Sequence, residues 1–559
     1  MAEVPHAAGG AVAGAPRMRW WGWGDPEHPP SLPAHALTFL RETVGLAAHP
    51  RPPVALAHVR VQPSTLSRPT LAALRKVVGA AGVREDHAER VLHAAGKGYP
   101  DLVRLRAGQP EGAPDAVVYP RSHEQVRALL AVCARESLAV VPFGGGTSVV
   151  GGLAPLRGTH AGVLALDMGA MAQVLELDGQ SATVSVQAGM RAPALEAHLA
   201  ARGLTLGHFP QSFEYVSLGG CAATRSAGQA STGYGAIEKL VLGLRLAAPA
   251  GDIELPALPA SAAGPSLRQL LVGSEGTLGV ISELSLRVRP APRERVYEGF
   301  FFTDFAAGWQ ALRVLAREHA LPDVARVSDA AETRMSLALA GTGGVKGRVG
   351  RAYVGLRGYG EGCLAILGFE GSAEELYTRR QRALALLRGC GALAVGRSPG
   401  EAWRRGRFQA PYLRDELLTL GVMVETLETA VQWSGLERLH RTVAQAIAGA
   451  LNACGTPGLV MCHVSHVYET GASLYFTLLA RQRAGDELGQ WLAVKRAAGE
   501  AIVAGGGTIT HHHGVGRDHA RWMPSEVGAQ GVAALRALQA ELDPAGIMNP
   551  GKLLALSPP

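Results

Sequence analysis

The spacing of apolar positions changes along the chain, and each change predicts a different kind of element. From residue 34 to about 108 the pattern reads as helical and Arg-rich. Ser122 and Gln125 then form a capping box, followed at helical spacing by Val126, Leu129, Leu130 and Cys133. Leu138 to Val141 reads as a short strand that breaks at Pro142 into three glycines. Thr183–Ala188 and Leu284–Arg289 alternate with period two, as half-buried strands do, and Ala192–Arg202 is a helix with Leu195 and Leu199 one turn apart. After Pro290, Tyr297–Thr303 opens a section that mixes strands with long helices such as Glu374–Arg388, and Leu459–Tyr468 again alternates like a strand. The pattern predicts an α+β protein. Its expected parts are an arm and helical region at 1–110, a first α+β unit at 111–292, a separate lobe at 293–505 and a closing segment at 506–559.

Composition narrows this picture. A chain of 559 residues exceeds one core, so two or three domains are expected. Hydrophobic content of 47% with 18% charged is the balance of a soluble globular enzyme, and 71 glycines and 34 prolines without a period indicate many turns. A net charge of +7 allows an anionic substrate or a lipid surface, while the lack of a basic block with interleaved aromatics argues against nucleic acid. Six scattered cysteines without a C-x-x-C pair read as reduced thiols of a cytoplasmic protein. No apolar run reaches the roughly 18 residues of a membrane span. Met1–Arg19 reads as a loose tail rather than a signal peptide, and Leu556-Ser-Pro-Pro559 is not a peroxisomal address. The cluster Trp20-Trp-Gly-Trp-Gly24 reads as an anchor onto a larger body.

The glycines supply the first chemistry. Gly144, Gly145 and Gly146 can turn backbone N–H groups into one concavity, with Thr147 and Ser148 adding hydroxyls. That describes a phosphate cradle, and an ordinary Gly-rich turn is the alternative. Similar stretches recur at Gly207–Ser212, Ser217–Gly228 and Gly273–Ile281, which implies a long ligand with several polar groups. Neither a Walker loop nor a Rossmann turn is present.

The histidines supply the second. In an extended Thr510-His-His-His-Gly514, His511 and His513 face one way and His512 the other. On the strand Leu459–Tyr468, parity sets His463 and His466 on opposite faces, so no metal site is expected, and it sets His466 and Tyr468 on the same face. For Tyr468 the competing reading is a core aromatic with a satisfied hydroxyl.

Taken together, Pro142–Ser148, Leu218-Gly-Gly220 and Gly273–Gly279 resemble the FAD-binding domain of the vanillyl-alcohol oxidase/PCMH superfamily. Within it the fuller similarity, from about Trp20 to the end, is to the alkyldihydroxyacetonephosphate synthase family. The resemblance implies a PCMH-type two-subdomain FAD-binding domain, an inserted α+β cap and a helical N-terminal region. It implies non-covalent FAD held by Pro142, Phe143, Gly144, Gly145, Gly146, Thr147 and Ser148 at the pyrophosphate. Gln211, Ser212, Ser217, Gly219, Gly220, Ala223, Thr224, Arg225 and Ser226 would line more of the cofactor. Glu275, Gly276, Thr277, Leu278, Gly279, Val280 and Ile281 would complete the lining.

Tyr468-Glu-Thr-Gly471 is similar to the setting of the family's catalytic tyrosine, and His511, His512 and His513 to its histidine run. Arg326 matches an arginine needed for activity, His208 an active-site histidine, and Arg414 the arginine proposed to bind the substrate phosphate. The implied reaction replaces the acyl chain of acyl-dihydroxyacetone phosphate with a fatty alcohol, without net redox change, with an apolar tunnel in the cap for the chains. A homodimer with peripheral membrane contact is implied as well.

A second reading is an FAD-dependent oxidase or dehydrogenase of a small 2-hydroxy acid. The ending Asn549-Pro-Gly-Lys552 is closer to redox members, Val424–Ala430 departs from the family's Glu-Ser-Phe-Glu-Thr-Ser, and Cys221 stands where tryptophan is usual. A third is a non-catalytic flavin- or metal-binding protein.

Overall fold

The computed structural model describes residues 18–25, 32–340 and 345–555, so nearly all of the expected tail at Met1–Arg19 and the ending Leu556–Pro559 lie outside the described residues. Three parallel strands, Ala116–Val118, Gly162–Asp167 and Leu138–Phe143, lie in that spatial order, with Val83–Arg84 antiparallel at the outer edge. Helices Arg68–Val78 and His123–Arg135 cover the sheet, burying Leu71, Leu74, Val126, Leu129, Leu130 and Cys133 against it. The second helix starts where the capping box places it: Ser122 Oγ accepts from Gln125 N at 3.3 Å and the Gln125 side chain accepts from Arg121 N at 2.8 Å. Leu71, Leu74 and Val83 share one core with this sheet, although the segment 68–84 precedes the expected boundary at 111.

The second subdomain is a five-stranded antiparallel sheet. Its order is Val174–Asp178, Thr183–Gln187, Val280–Arg287, Val241–Ala248 and Gly251–Leu255. Period-two alternation turns Val184, Val186, Leu284 and Leu286 inward, where they meet Leu195 and Leu199 of the helix Ala192–Ala200.

The cap is a seven-stranded sheet in which every pairing is antiparallel. Its spatial order is Leu393–Gly396, Glu294–Phe302, Cys363–Gly371, Val324–Ser328, Gly458–Val467, Gly471–Arg481, Val422–Gln432. One face is sealed by the helices Phe305–Arg317, Ala373–Gly389, Trp433–Ala453 and Glu487–Ala504. Trp309, Leu312, Leu387, Leu439, Val443 and Val494 pack there on Phe300, Phe302, Val327 and Phe476. Each such side chain contributes roughly 1.5–3 kcal/mol by leaving water. The opposite face carries apolar clusters around Val424, Met461 and Leu479 and around Tyr297, Val324 and Ile366, with a polar row between them. Register places Glu428 beside Tyr475, Tyr475 beside His463 and His463 beside Ser328, in one row across four strands.

From Gly505 the chain runs back along this row as an irregular loop, then forms two helical pieces over Met523–Leu542 that meet at Gly528. Leu538 and Leu542 pack on the second subdomain, and Ile547 and Met548 enter the core of the parallel sheet. There Val140 N donates to Ile547 O, and Asn549 N to Val140 O, both at 2.8 Å. At the other end of the chain, Trp23 is buried edge-on against Tyr215, which is the anchoring expected of the tryptophan cluster. All six cysteines are unpaired, and no described helix is long and apolar enough to cross a membrane.

Candidate functional site

Between the two flavin-domain sheets lies a cleft of about 1110 Å³ of empty space including its mouth. Its floor is the turn that follows the strand Leu138–Phe143. A Cβ on Gly145 would strike the Tyr215 carbonyl, which Arg191 Nη1 already holds, and Gly146 sits at φ +71°, where a side chain is strained. Glycine is required at both. Among the described residues no lysine or arginine lines the cleft, so a pyrophosphate would rest on backbone N–H groups and the hydroxyls of Thr147, Ser148, Ser212, Ser217, Thr224 and Ser226. The size of the cleft and this donor set fit FAD.

Most residues expected at the cofactor do line the cleft: Pro142 through Ser148, Ser212, Ser217, Gly219, Gly220, Ala223, Thr224, Ser226, Glu275, Gly276, Gly279, Val280 and Ile281. Four do not. Arg225 turns away to bond Val272 O at 2.9 Å and Gln269 O, Leu278 is core, and the Thr277 hydroxyl caps Ser274 O at 2.8 Å. Gln211 is half-buried off the cleft. These four lie within chemical stretches whose backbone bends, so neighbours in sequence point to different sides. Asn549 was missed as a lining residue, although it lies in the closing segment; its amide donates to Gly152 O at 3.2 Å and Glu275 O at 2.7 Å.

His512 and His513 form the cleft's far wall and lead into the second half of the site. The Tyr468 hydroxyl lies 2.6 Å from His511 Nε2, and His511 Nδ1 lies 2.9 Å from His512 Nδ1. Two directed proton arrangements satisfy both bonds. In one, Tyr468 donates to His511 and His511 to His512; in the other, every donor is reversed. Shifting one proton across each bond from the first leaves Tyr468 a phenolate and His512, which keeps its Nε2 proton, an imidazolium, so the first arrangement is the neutral one. Burial lowers His511 to about 4 and takes His512 well below its usual value, so both rings are neutral acceptors near pH 7. Burial, with Glu238, raises the Tyr468 phenol well above its ordinary value. No described cation offsets this, so the phenol is held protonated rather than as the stabilised phenolate that acid–base work at neutrality would favour. Its ring is still 37% exposed, which corrects the core-aromatic reading.

Two of the three parity expectations fail, for identifiable reasons, whereas His466 and Tyr468 do share a face, both rings meeting His511. Pairing slips between Val464 and Val467, and three steps on one strand match two on its partner, Leu474 to Ala472. This β-bulge returns Val464 and Val467 to the same core face and leaves Ser465 and His466 together on the other. The loop 508–516 is not extended, so His511 and His512 lie on one side, their ring centroids 5.1 Å apart. As a result His466, His511 and His512 bring one nitrogen each within 4.8 Å of one another, a ligand spacing that strand parity had excluded. Both nitrogens of His466 are already engaged, Nε2 near Gly228 O at 3.0 Å and Nδ1 near Ser465 Oγ at 3.0 Å, so the cluster as it stands is a hydrogen-bonded one.

Carboxylates fix the loop from both domains. Glu428, from the cap, accepts at one oxygen from the Thr510 hydroxyl at 2.8 Å and from the N–H groups of His512 and His513. Burial opposes its ionisation, but His513, His519, the His512 N–H and Thr510 outweigh burial and lower it to about 2. Glu275, from the flavin domain, accepts from Val515 N at 2.6 Å and Gly516 N at 2.7 Å. Burial raises this carboxyl to about 7 despite those donors. The histidine run is therefore held at its start by the cap and at its end by the flavin cleft. No sequence signal marked the Glu428 contact, which lies within the Val424–Ala430 run that departs from the family's residues.

The remaining predicted residues are placed as follows. Arg326 pairs with Glu332, whose second oxygen meets His463 Nδ1 at 2.9 Å, and His463 stacks on Tyr475 at 4.9 Å. Tyr475 in turn stacks on His512 at 5.8 Å. Arg414 is half-buried rather than on the surface; it donates to Lys97 O at 2.7 Å, and its Nε has no partner among the described residues. His208 is fully buried behind Ser226, 3.2 Å away, and burial lowers it to about 4. It reaches the cleft only through that serine.

Comparison with known proteins accords with this geometry. The family model for the FAD binding domain matches residues 114–255, and that for FAD linked oxidases, C-terminal domain, matches 291–553. FAD is thus the cofactor of the cleft. The alkyldihydroxyacetonephosphate synthase of Dictyostelium discoideum is 34% identical over 479 residues, covering 84% of this chain and 78% of its own length. That of Trypanosoma brucei brucei is 32% identical over 571 residues, covering 97% and 93%. A solved alkyldihydroxyacetonephosphate synthase structure superposes with a TM-score of 0.83 at 29% identity, covering 96% of this chain and 98% of that one. With a relative above 30% identical matched over most of both lengths, and with the cleft and the tyrosine–histidine pair in place, the chain belongs to the alkyldihydroxyacetonephosphate synthase family.

Proposed function

We propose that this protein is a flavin-dependent alkyl transferase that exchanges the acyl chain of acyl-dihydroxyacetone phosphate for a fatty alcohol, a step of ether lipid synthesis. The observation that carries the reading is the Tyr468–His511–His512 relay, which ends on the wall of the FAD cleft. Bound FAD supplies the redox-active ring against which the glycerone unit reacts. The residues of the chain manage protons and charge. Acyl chain out as a carboxylic acid and alcohol in balance without net redox: the proton the alcohol loses is the one the departing carboxylate gains. The relay suits that exchange, because Tyr468 can take the alcohol's proton as it passes its own to neutral His511, and the proton held on the histidines returns when Tyr468 protonates the departing carboxylate.

For the substrate phosphate, Arg326 and Arg414 both interact electrostatically with Tyr475. Among the described residues the Arg326 guanidinium bonds only Glu332, and the Arg414 guanidinium only Lys97 O, which leaves further N–H donors on each. His208 supports Ser226 at the cleft.

The FAD is non-covalent in this proposal, and denaturation in acid should release it to the supernatant. Peripheral membrane contact is supported by the helix Val345–Leu356, which exposes Val349, Tyr353 and Leu356 on one stripe. A cytoplasmic homodimer completes the reading. The deciding assay is anaerobic exchange of labelled fatty alcohol into acyl-dihydroxyacetone phosphate without an electron acceptor. Label incorporation is expected; turnover only on adding an acceptor, with a small 2-hydroxy acid as donor, would replace this function with oxidation.

A further inference from the structure

Behind the flavin loop a second cavity opens between the helices Tyr99–Arg106 and Glu487–Ala504 and the segment 517–522. It holds about 1100 Å³ of empty space including its mouth and shares no lining residue with the FAD cleft. Five cations line it, Arg104, Lys495, Arg496, Arg517 and Arg521, against the acids Asp101 and Asp518.

The partners of these groups are unevenly supplied. Arg104 and Arg517 share Glu111, at 3.0 Å and 2.8 Å. Arg496 and Arg521 have no acidic partner among the described residues, and Arg521 lies over the Trp522 ring at 5.4 Å. Lys495 is 3% exposed, yet no described residue offers it a hydrogen bond or an ion pair. Its stem is buried while the residue lines the cavity and draws the Asp518 carboxyl down, so an anion beside it would complete its partners. The acids are also incompletely satisfied: Oδ2 of Asp101 and Oδ2 of Asp518 are buried and make no hydrogen bond among the described residues. Burial raises these carboxyls to about 6 and about 7, so they oppose an incoming anion less than ordinary carboxylates would. At the mouth, Leu488, Trp491 and the half-exposed Leu492 add an apolar wall.

We propose that this cavity is a second ligand site, for a phosphate monoester of a small polyol. The phosphate would sit on Lys495, Arg496 and Arg521, and polyol hydroxyls would donate to Asp101 and Asp518. The same headgroup can arrive free or on a lipid chain, which Leu492 and Trp491 would receive. The site does not depend on the reaction assigned to the FAD cleft.

The test is calorimetric titration of the holoprotein at fixed ionic strength with glycerol 3-phosphate, its dodecanoyl monoester and inorganic phosphate, with flavin absorption followed in parallel. Glycerol 3-phosphate should bind without moving the flavin spectrum. Lys495→Met should abolish that binding, and the double variant Arg496→Ser/Arg521→Ser should weaken it at least about tenfold while alkyl exchange is unchanged. Tighter binding of the dodecanoyl ester identifies a lipid-borne ligand, and equal binding a free one; either supports the site. No binding by the native protein, unchanged affinity in both variants, or inorganic phosphate binding as tightly as glycerol 3-phosphate would each overturn it.

Discussion

On one side of His512 and His513 lies a cleft built from loops that are each continuous in sequence, 142–149, 212–226 and 275–281. On the other side lies a cluster assembled from four distant segments: Arg326 to Glu332, Glu428, His463 to Tyr475 and Thr510 to His513. The cleft needs close backbone approach, and glycine alone meets that locally. The cluster needs side chains to converge, and only the register of the cap sheet and two carboxylate anchors bring that about. Cofactor binding and proton transfer should therefore fail independently.

The largest break belongs to the cleft. Gly145→Ala places a Cβ against the Tyr215 carbonyl, backbone that a rotamer change cannot move. The expected product is a colourless protein with its fold intact by circular dichroism and essentially no activity, and excess FAD should restore little of it. A yellow, active Gly145→Ala protein would mean that the turn is not the cofactor's support.

Next is the cluster's outer end. Tyr468→Phe removes only the hydroxyl that faces His511 Nε2. Turnover should fall by about 10²–10⁴-fold, the usual span of acid–base assistance, with FAD bound at wild-type stoichiometry. The two variants thus dissociate the halves, and equal flavin loss in both would merge them.

How far each half could be read from the sequence follows the same division. The glycine and hydroxyl stretches named the cleft because their chemistry is local, and they erred only where a bend turned Arg225 or Leu278 aside. Tyr468 and the histidines were found as residues, and Tyr468 was set on the right face beside His466, but His463, His466 and the run 511–513 were misplaced as geometry. Period-two parity assumes an unbroken strand, and the extra residue between Val464 and Val467 breaks it, with no glycine or proline at that point to signal the bulge. Glu332 and Glu428 were invisible as partners, because a carboxylate on a strand or a helix gives no sign of which distant N–H it will meet.

A smaller effect tests whether the anchors matter. Glu428→Gln keeps an acceptor for the His512 and His513 N–H groups but loses the charge, whereas Glu428→Ala loses both. Gln should cost about tenfold in turnover and Ala about a hundredfold, in line with one and two lost charge-assisted contacts, and flavin content should hold in each. If both variants cost the same, the charge and not the loop geometry is what Glu428 provides.

The smallest effect is in stability. Burial lowers His208 to about 4, His466 to about 3 and His519 to about 3, from an ordinary 6.5. Folding therefore favours their neutral forms. Below pH 6.5 the unfolded chain takes up three protons that the folded chain refuses, so stability is full above that pH and is lost as pH falls toward 4. Each histidine contributes a slope of at most about 1.4 kcal/mol per pH unit once well below 6.5; His511 and His512 add to it, while the raised carboxyls of Glu275, Asp101 and Asp518 oppose it. The histidine share is therefore read as the difference in urea midpoints between native protein and variant from about pH 7.5 to about pH 5. His466→Gln cannot take a proton in either state and should remove one histidine's share, up to about 1.4 kcal/mol per pH unit, while leaving the flavin spectrum in place. A slope unchanged by the substitution would mean that His466 is already charged in the folded cluster, and the neutral relay through His511 would then lose its basis.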